Sequence, residues 1–504
     1  TISTDPLAPV IVAVAQHTWR QAEAARTPLD ALYAVASQAL DSSRCSALAP
    51  AIDAVATVRF IADTNPDLAS LMPGNPGRLL AQRLGIDDAA CFQTDVGGNT
   101  PQFLINHFAH QLAEGSCNAV LISGAELLNT FLDALRNGHD ISAWAGEKTT
   151  QPIMIGEEKD GLNDIERAHG LFEPVNTYPL FESALRHHLG GDQADQDAIT
   201  AELCSRMAAV AATNPHAWRQ EPRDAESIGT VTQKNRYIGF PYTRDMNAQL
   251  SVDMAAAVIM TTAGKAAELG IDPQQMIYLR AGVDLNDIWH PSERNKLYEA
   301  PAIGLAARAA LQHAKLELDD LNAFDIYSCF PSAVRIACNE IGMSPLDARG
   351  ITVTGGLPFF GGPGNNYSLH AVAEMVETLR RKGKAHGLVT ANGLYLTKHS
   401  LGLYSTEPGA GAWSAVDSTP LQQQIEAGAR RRLAPEPAGP AIIESLTVAF
   451  DRDGPSKGIL TALNGDGERI LANAITGLER LMEQDLVGSE GHIRQEDGRN
   501  ILEL

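Results

Sequence analysis

Two stretches of the chain repeat the same order of apolar and polar positions. The first has an apolar run at residues 91–96 and a loop at Gly97 and Gly98. Apolar residues then recur every three to four positions over residues 101–113, and a second apolar run follows at residues 119–124. This order predicts a strand, a tight loop, an amphipathic helix and a second strand.

The same order recurs in the second half of the chain. An apolar run at residues 351–354 precedes a glycine-rich loop, a helical pattern covers residues 367–382, and a further apolar run lies at residues 387–393. The glycines that bracket the last run are spaced almost equally in the two stretches. The sequence therefore predicts that both halves of the chain reuse one β-loop-α-β unit.

Other segments extend this prediction to a layered fold. Helical spacing also predicts helices at residues 28–42, 196–212, 303–314 and 332–341. Short apolar runs at residues 10–15, 255–260 and 388–390 barely alternate, which is typical of strands buried on both faces. Helices on the faces of two parallel-rich sheets predict an α/β fold with the layers α/β/α/β/α.

The pattern divides the chain into two halves and a tail. The first half covers residues 1–250 and includes residues 127–250, which lack a βαβ rhythm and are predicted to be a long loop insertion. The second half covers residues 251–415. After a proline-rich linker, turn signals in residues 441–504 predict a small β-rich domain with one helix.

Composition narrows the possible partners and locations. The 504 residues include 61 acidic and 39 basic ones, and the net charge of −22 disfavours nucleic acid. The six cysteines form no metal-binding or disulfide pattern, so we expect no metal and a reduced, cytoplasmic location. The first nine residues show no signal-peptide pattern, and no apolar run reaches the roughly 18 residues that span a bilayer.

The turn at Gly97 carries the first indication of chemistry. A strand-to-helix turn directs backbone N–H groups at an anion or a developing oxyanion, and many enzymes place a cysteine or serine there. This chain has Gly97 and Gly98 instead. An alternative is that both glycines only permit a tight turn and close packing of the sheets.

Several loops together resemble those of the thiolase superfamily, over roughly residues 8–409. The resemblance lies in the nucleophile turn at residues 96–100, the start of the second half at 251–257, and the loops at 324–330, 361–363 and 391–393. With its β-rich extension, the chain is most similar to thiolase-like proteins of type 1. The resemblance implies a five-layer fold made of two similar halves.

The chain departs from this family at each position that carries its chemistry. Gly97 stands where thiolases have the nucleophilic cysteine, Tyr327 where they have Asn or His, Gly362 where they have the base histidine, and Ala391 where they have the acid cysteine. Thiolase chemistry needs a thiolate that carries the acyl group and a base that forms the carbanion. That mechanism therefore cannot be carried over to these positions.

Four side chains are candidates for the remaining chemistry. The resemblance to steroid side-chain aldolases, which have a tyrosine in the similar loop, makes Tyr327 a candidate acid or base. Because a phenol titrates near pH ~10, this role needs a nearby cation, which Lys398 or His399 is predicted to supply. Cys329 is a candidate relocated nucleophile. The alternatives are a buried, hydrogen-bonded hydroxyl, surface or capping roles, and a structural cysteine.

The candidate binding residues fall into two groups. The glycines and asparagines of the loops are predicted to contact a thioester: Gly97, Gly98, Asn99, Gly362, Asn365, Asn366 and Asn392. Three cations of the insertion are predicted to contact the phosphates of coenzyme A: Lys234, Arg236 and Arg244. Turn and cap roles for the first group, and a solvated basic cluster for the second, are the alternatives.

The resemblance leads to two main hypotheses of function. In the first, the chain is acetyl-CoA acetyltransferase-like and acts in lipid metabolism on a C–C bond next to a thioester, as an acyltransferase or a C–C lyase, without a cysteine nucleophile. In the second, it is a non-catalytic binding or scaffold protein for a CoA ester. Acyl-CoA is then substrate or ligand, and we expect no permanently bound cofactor.

The tail leaves a further alternative open. It is predicted either to dock a partner or to cover the active site. The family it resembles usually dimerises, so we expect a homodimer, or a monomer if the C-terminal domain blocks the dimer surface.

Overall fold

The computed structural model describes residues 4–504, and its strands form two sheets. The strands are β1 (Pro9–Thr18), β2 (Ala54–Thr57), β3 (Ala90–Thr94), β4 (Ala119–Leu127), β5 (Ile153–Ile155), β6 (Tyr237–Gly239), β7 (Tyr242–Thr243), β8 (Asp253–Thr262), β9 (Ile277–Asn286), β10 (Ala323–Asp325), β11 (His386–Gly393), β12 (Lys398–Ser405), β13 (Gly439–Phe450), β14 (Pro455–Leu463), β15 (Arg469–Ala474), β16 (Glu490–Glu496) and β17 (Arg499–Glu503).

Helices cover both faces of the larger sheet. They are α1 (Pro28–Ser42), α2 (Leu48–Ala51), α3 (Pro66–Ala69), α4 (Pro76–Leu84), α5 (Thr100–Ala113), α6 (Leu128–Asn137), α7 (Asp164–Ala168), α8 (Pro174–Leu189), α9 (Gln193–Thr213), α10 (Ala225–Gly229), α11 (Ala263–Glu268), α12 (Pro301–Ala314), α13 (Pro331–Ile341), α14 (Tyr367–Lys382), α15 (Thr419–Glu426) and α16 (Leu478–Glu483). Within residues 4–504, none has both the length and the apolar character that crossing a bilayer requires.

The larger sheet contains the same strand arrangement twice. Its order is β10-β11-β12-β9-β1-β8-β4-β2-β3-β5. In the first half β2 and β4 are parallel, whereas β8 and β1 follow in antiparallel pairs. In the second half β10 and β11 are parallel, and β12 and β9 follow in antiparallel pairs. The predicted reuse of one unit is therefore confirmed, and the halves join where Val10 and Ile11 of β1 pair with β9.

Five layers result from this arrangement, as predicted. Helices α5 and α14 lie in the central layer, because each contacts strands of both halves. Helices α1 and α4 cover the outer face of the first half, and α12 and α13 cover that of the second. Both central helices begin at a glycine-containing loop, so the layering brings the two loops to the same end of the sheets.

Two predictions about the strands were wrong. The sheet is mixed rather than parallel-rich, since the long strands β1, β8, β9 and β12 all pair antiparallel. Residues 351–354 form no strand, because the Asp325 carboxylate draws them into a turn. Its Oδ2 accepts hydrogen bonds from the Val353 amide at 3.0 Å and the Thr352 hydroxyl at 2.9 Å.

The insertion at residues 127–250 is largely helical instead of a loop. It contains α6, α8 and α9, and its short strands β6 and β7 extend the smaller sheet. Helix α9 confirms the helix predicted at residues 196–212, whereas α6 and α8 were not predicted.

The tail folds into a closed barrel with one helix, in line with the predicted β-rich domain. Strand β13 pairs with both β14 and β16, and the order β13-β14-β15-β17-β16 closes on itself. The pair β15–β17 is parallel and α16 lies between β15 and β16. This is the topology of the five-stranded Greek-key barrel called the OB-fold. We call residues 439–503 the barrel.

Candidate functional site

The turn after β3 is held by side chains from distant parts of the chain. Gly97 has a φ of 141°, and its N–H donates to Asn365 Oδ1 at 3.1 Å. Asn365 is itself fixed by a hydrogen bond to the Arg59 carbonyl at 2.9 Å, and the Ser368 hydroxyl donates to the Gly98 carbonyl at 3.0 Å. The Gly97 N–H is therefore satisfied by Asn365, and the predicted contact between this turn and a thioester stays a prediction.

The two glycines of this turn face different surroundings. A Cβ atom added to Gly98 would overlap the Tyr327 hydroxyl and lie 2.6 Å from the Asn392 carbonyl oxygen. A Cβ atom added to Gly97 would lie 2.6 Å from Asn99 Oδ1 and 3.2 Å from Lys398 Nζ. The sequence analysis placed the missing side chain at Gly97, whereas the position that faces Tyr327 is Gly98. The Tyr327 hydroxyl fills that space.

Tyr327 keeps its proton at neutral pH. Burial raises the pKa of its phenol well above the usual range, and the nearby Cys329 raises it further. Lys398 and His399 make their hydrogen bonds with other groups, and among residues 4–504 no hydrogen bond to the Tyr327 hydroxyl is formed. Their predicted role as the cation that activates Tyr327 stays a prediction, and in this structure the hydroxyl is a protonated donor.

Lys398 is buried and paired, which excludes the predicted surface role. Its Nζ lies 2.5 Å from Asp95 Oδ2 and donates to the Val96 carbonyl at 2.8 Å. Burial raises the pKa of the Asp95 carboxyl in spite of the adjacent ammonium group. The pair fixes the start of β12 to the turn that follows β3.

His399 is buried beside a second carboxylate. Its Nε2 lies 2.9 Å from Asp287 Oδ2 but makes its hydrogen bond with the Leu396 carbonyl at 3.0 Å. Asp287 Oδ1 accepts from the Ala302 N–H at 3.0 Å, and its Oδ2 has no hydrogen-bond partner among residues 4–504. His399 and Asp287 are therefore close to each other, but their geometry does not form a hydrogen bond.

Cys329 is a thiol and not a thiolate. Burial raises its pKa to about 12, although Tyr178 and Asn392 lie within hydrogen-bonding range of the sulfur. Burial thus disfavours the thiolate that nucleophilic attack requires, and the candidate role of Cys329 as a relocated nucleophile stays a prediction. The Tyr178 hydroxyl lies 3.1 Å from Asn392 Oδ1 and fixes the orientation of that amide.

The second glycine loop does not present its amides to a ligand. The Gly362 N–H donates to the Gln249 carbonyl at 2.8 Å, and the Asn366 N–H donates to the Pro363 carbonyl at 2.7 Å. The Asn366 side chain is buried against Gly124, and its amide has no hydrogen-bond partner within residues 4–504. The predicted oxyanion role of Gly362 and Asn366 through this helix N-terminus was therefore wrong.

The three cations predicted to contact phosphates lie outside the cleft described below. Lys234 and Arg244 are exposed. Arg236 donates to the carbonyls of Tyr237 and Asp451, both at 3.2 Å, so it faces a turn of the barrel. Their contact with a ligand stays a prediction that the cleft geometry does not support.

An open cleft of about 490 Å³ lies beside the turn. Of the predicted residues, Asn99, Lys398 and His399 line it, whereas Gly98, Tyr327 and Asn392 do not. A cavity of about 10 Å³ lies behind it and is lined by residues that include Tyr327, Asn392, His399 and Ser400. Because His399 and Ser400 line both spaces, they form the wall between the open cleft and the Tyr327 hydroxyl.

Asp284 is a cleft residue that sequence reasoning missed. Burial raises the pKa of its carboxyl to about 7, and Asn106 Nδ2 donates to its Oδ1 at 3.1 Å. A chain of hydrogen bonds leads to it from Tyr404 through Gln102 and Asn106. Its position at the end of an apolar strand was visible in the sequence, but the polar partners on α5 were not.

Helix α15 and the segment after it close one side of the cleft. The Gln422 side chain accepts from the Asn286 N–H at 2.8 Å and donates to the Asn286 carbonyl at 2.9 Å. Ile425 and Arg430 also line the cleft, and opposite them Lys159 lies 4.8 Å from the centre of the Trp289 ring. Lys159 and Arg430 are therefore cleft cations, which sequence reasoning also missed. In residues 4–504, no cluster of His, Cys, Asp and Glu is suited to a metal.

Comparison with known proteins gives three findings for this architecture. A family model described as "Thiolase-like protein type 1 additional C-terminal domain" matches residues 420–498. A solved structure of a monomeric SCP2-thiolase like protein type 1 from Mycobacterium smegmatis is 33% identical, with a TM-score of 0.84. The alignment with it covers 99% of this chain and 100% of that one.

Curated relatives match shorter parts of the chain. A 3-ketoacyl-CoA thiolase of Salmonella heidelberg (strain SL476) is 29% identical over 259 residues, which are 48% of this chain and 57% of the relative. An acetyl-CoA acetyltransferase of Candida albicans is 24% identical over 61% of this chain and 76% of the relative. The chain thus spans little more than half the length of the first of these.

Proposed function

The chain belongs to the thiolase-like proteins of type 1, within the thiolase superfamily, and on that premise we propose that it binds a coenzyme A thioester without forming a covalent intermediate. The observation that carries the proposal is the Tyr327 hydroxyl, which stands unpartnered against Gly98. A thioester carbonyl oxygen is a hydrogen-bond acceptor, and an O–H group that keeps its proton at neutral pH is a matching donor.

Asn392 supplies a second donor in the same cavity. Its Oδ1 lies 3.1 Å from the Tyr178 hydroxyl, and its NH₂ group, which lies within hydrogen-bonding range of Cys329, has a second N–H for a ligand. Tyr327 and Asn392 together can donate to the two lone pairs of one carbonyl oxygen. Preorganised donors of this kind also stabilise an enolate, because its negative charge is located on the same oxygen.

Two spaces that share His399 and Ser400 as lining residues fit the two ends of such a ligand. The cavity of about 10 Å³ has room for about one water molecule or one carbonyl oxygen. The pantetheine arm then occupies the larger cleft, where Lys159 and Arg430 take the role that the sequence analysis gave to Lys234, Arg236 and Arg244. His399 and Ser400, which line both spaces, have to yield for the carbonyl to reach Tyr327.

If the protein is an enzyme, its chemistry is proton transfer next to the carbonyl. Gly97, Gly362 and Ala391 offer no nucleophile or base, and the Cys329 thiol is protonated. Asp284, whose pKa is raised to about 7, is the group in the cleft suited to move a proton near neutral pH. The reaction classes left are acyl transfer and C–C cleavage in acyl-CoA metabolism. A cytoplasmic location stays a prediction.

Calorimetric titration with acetyl-CoA and with free CoA tests the binding proposal. We expect acetyl-CoA to bind about tenfold more tightly than CoA, since one or two added hydrogen bonds contribute about 1 kcal/mol each. Tyr327→Phe should reduce this difference to about twofold, because the donor at Asn392 remains, and should leave the affinity for CoA unchanged. Tyr237→Phe, which removes a hydroxyl near the barrel, is the matched control. Equal affinities in the wild type would contradict the carbonyl contact.

The second candidate, a binding protein without catalysis, is favoured by the absence of a nucleophile at the turn. Incubation with labelled acetyl-CoA and with 3-ketoacyl-CoA acceptors separates the two. Product formation that Asp284→Asn abolishes supports the enzyme. Tight binding with no chemical change supports the scaffold, and failure of the wild type to bind any CoA ester overturns both.

A further inference from the structure

A fully buried arginine fastens the barrel to the core beside the cleft. Arg469, on β15, has no exposed side-chain surface. Its guanidinium forms a two-pronged pair with Glu444, at 2.8 and 2.6 Å. It also donates to the carbonyls of Ser292 and Arg294 in the core, at 2.7 and 2.5 Å. The barrel therefore hydrogen-bonds to the core backbone on both sides of Glu293.

A second buried arginine, Arg294, links this contact to residues near the cleft. Arg294 donates through Nη1 to the Tyr395 carbonyl at 2.7 Å and through Nη2 to the Thr397 hydroxyl at 2.9 Å. Its Nε donates to the carbonyl of Ile288, a residue that lines the cleft, at 2.9 Å. One guanidinium thus connects the cleft wall at residue 288 to residues 395–397, which directly precede the cleft residues Lys398 and His399.

The segment that Arg294 contacts, at residues 394–397, contains two residues with unfavourable backbone conformations. Leu394 and Leu396 have φ values of 59° and 53°, a left-handed conformation that costs a residue other than glycine about 1 kcal/mol or more. Such strain persists only where the surroundings impose it, and it is concentrated at functional sites. Tyr178 supplies a second restraint, since its hydroxyl accepts from the Leu396 N–H at 3.1 Å. Lys398 and His399 follow directly.

We infer that Arg469 and Arg294 are positioning residues, through which the barrel holds the strained segment and thereby places Lys398 and His399 in the cleft. We call the contacts from Glu444 through Arg469 and Arg294 to residues 395–397 the arginine relay. Its effect on ligand affinity rests on the proposed function. Its effect on the order of the segment does not.

The residue type is essential to this inference. A guanidinium has five N–H donors in a rigid plane, so it can pair with a carboxylate and contact backbone carbonyls at the same time. A lysine ammonium has three donors on a flexible stem and cannot reproduce that set. Arg469→Lys keeps the charge beside Glu444 and removes most of the contacts to the core.

Hydrogen exchange of the full-length chain, read by mass spectrometry, tests the relay. In Arg469→Lys we expect amide exchange of residues 394–399 to rise about tenfold, since about two net hydrogen bonds are lost. The amides of Tyr395, Leu396 and Thr397 are hydrogen-bonded in the structure, so the change is measurable. Arg494→Lys, on the exposed face of the same barrel, is the matched control.

Arg294→Lys tests the second contact of the relay. It should raise exchange in the same segment, and the double variant should show less than the sum of the two effects, because both act on one set of contacts. Exchange that rises only in the barrel, or nowhere, would overturn the inference.

Acetyl-CoA affinity is a separate measurement. About a tenfold loss of affinity in Arg469→Lys would show that the relay also affects ligand binding. If the wild type binds no CoA ester, the proposed function is wrong. The exchange data still show whether the arginine relay orders residues 394–399.

Discussion

Gly98 and Tyr327 are coupled, because the hydroxyl of one occupies the side-chain space of the other. The effect of a substitution at either residue therefore depends on which side chain stands at the other. The glycine is required by the position of Tyr327, and the tyrosine reaches the turn only because Gly98 has no side chain. Substitutions at the two positions should therefore interact.

Gly98→Ala should destabilise the fold by about 1–3 kcal/mol, the usual range for overpacking a filled site. In a Tyr327→Phe background the loss should be smaller, since the overlap with the hydroxyl is removed while the contact with the Asn392 carbonyl remains. Urea unfolding of the single and double variants measures the coupling. Gly74→Ala, where a Cβ meets nothing within 4 Å, is the control. Additive effects would contradict the coupling.

Cys329 should resist alkylation in the folded protein. With a pKa of about 12, roughly one thiol in ten thousand is ionised at pH 8, whereas an unfolded thiol with a pKa near ~8.5 is about a quarter ionised. Peptide mapping after treatment with iodoacetamide should show Cys329 modified in urea and unmodified without it. Rapid modification of the folded chain would restore the nucleophile hypothesis.

Asp284 should make stability depend on pH. Its folded pKa of about 7 exceeds the ordinary value, so the folded state binds this proton more tightly. The resulting stability is complete below pH ~4 and is lost as pH rises to ~7. Relative to Asp284→Asn, the wild type should lose about 2 kcal/mol over that range, after a discount for partial exposure. Urea unfolding at pH 4 and pH 8 measures the difference, and equal differences at both would contradict it.

Among the elements, α15 depends on one side chain for its position at the cleft. Gln422→Ala removes both hydrogen bonds to Asn286 and should weaken the docking of α15 by about 1 kcal/mol. Hydrogen exchange of residues 419–426 reports the change. Gln423→Ala, an exposed neighbour on the same helix, is the control. Equal protection in the two variants would show that Ile425 alone holds the helix.

The sequence analysis predicted the elements better than their contacts. Helix α1 has the predicted bounds, because its Thr27 cap and apolar face are local signals. The predicted strand at residues 351–354 failed because Asp325, far away in sequence, captures that backbone. In the site, the glycine turn was identified from its position between a predicted strand and a predicted helix, and Tyr327 from the resemblance of residues 324–330 to a thiolase loop. The partner of Lys398, Asp95, lies in the other half, and no local spacing indicates such a pair.

On the scale of the whole molecule, the insertion alters one edge of the larger sheet. Strand β5 pairs in parallel with β3 and becomes the edge, with Ile153 53% and Met154 50% exposed. A three-residue strand is a poor template for pairing with another chain. The sequence analysis considered only the C-terminal domain as a possible block to dimerisation. Strand β5, which belongs to the insertion, is a second one.

We therefore expect a monomer. Light scattering of the purified protein should give a mass near the 53.8 kDa of one chain at all concentrations tested. The relative from Mycobacterium smegmatis, whose structure is described as monomeric, agrees with this expectation. A mass twice as large would contradict the expectation of a monomer.

The overlap at the turn also limits the evolutionary paths open to this protein. A mutation that introduced a cysteine at Gly98 would place its side chain against the Tyr327 hydroxyl, and one that replaced Tyr327 alone would leave glycine at both positions of the turn. Each single substitution therefore gives either a crowded turn or a turn that still has no reactive side chain at residues 97 and 98. A cysteine can replace Gly98 without this overlap only if Tyr327 changes as well.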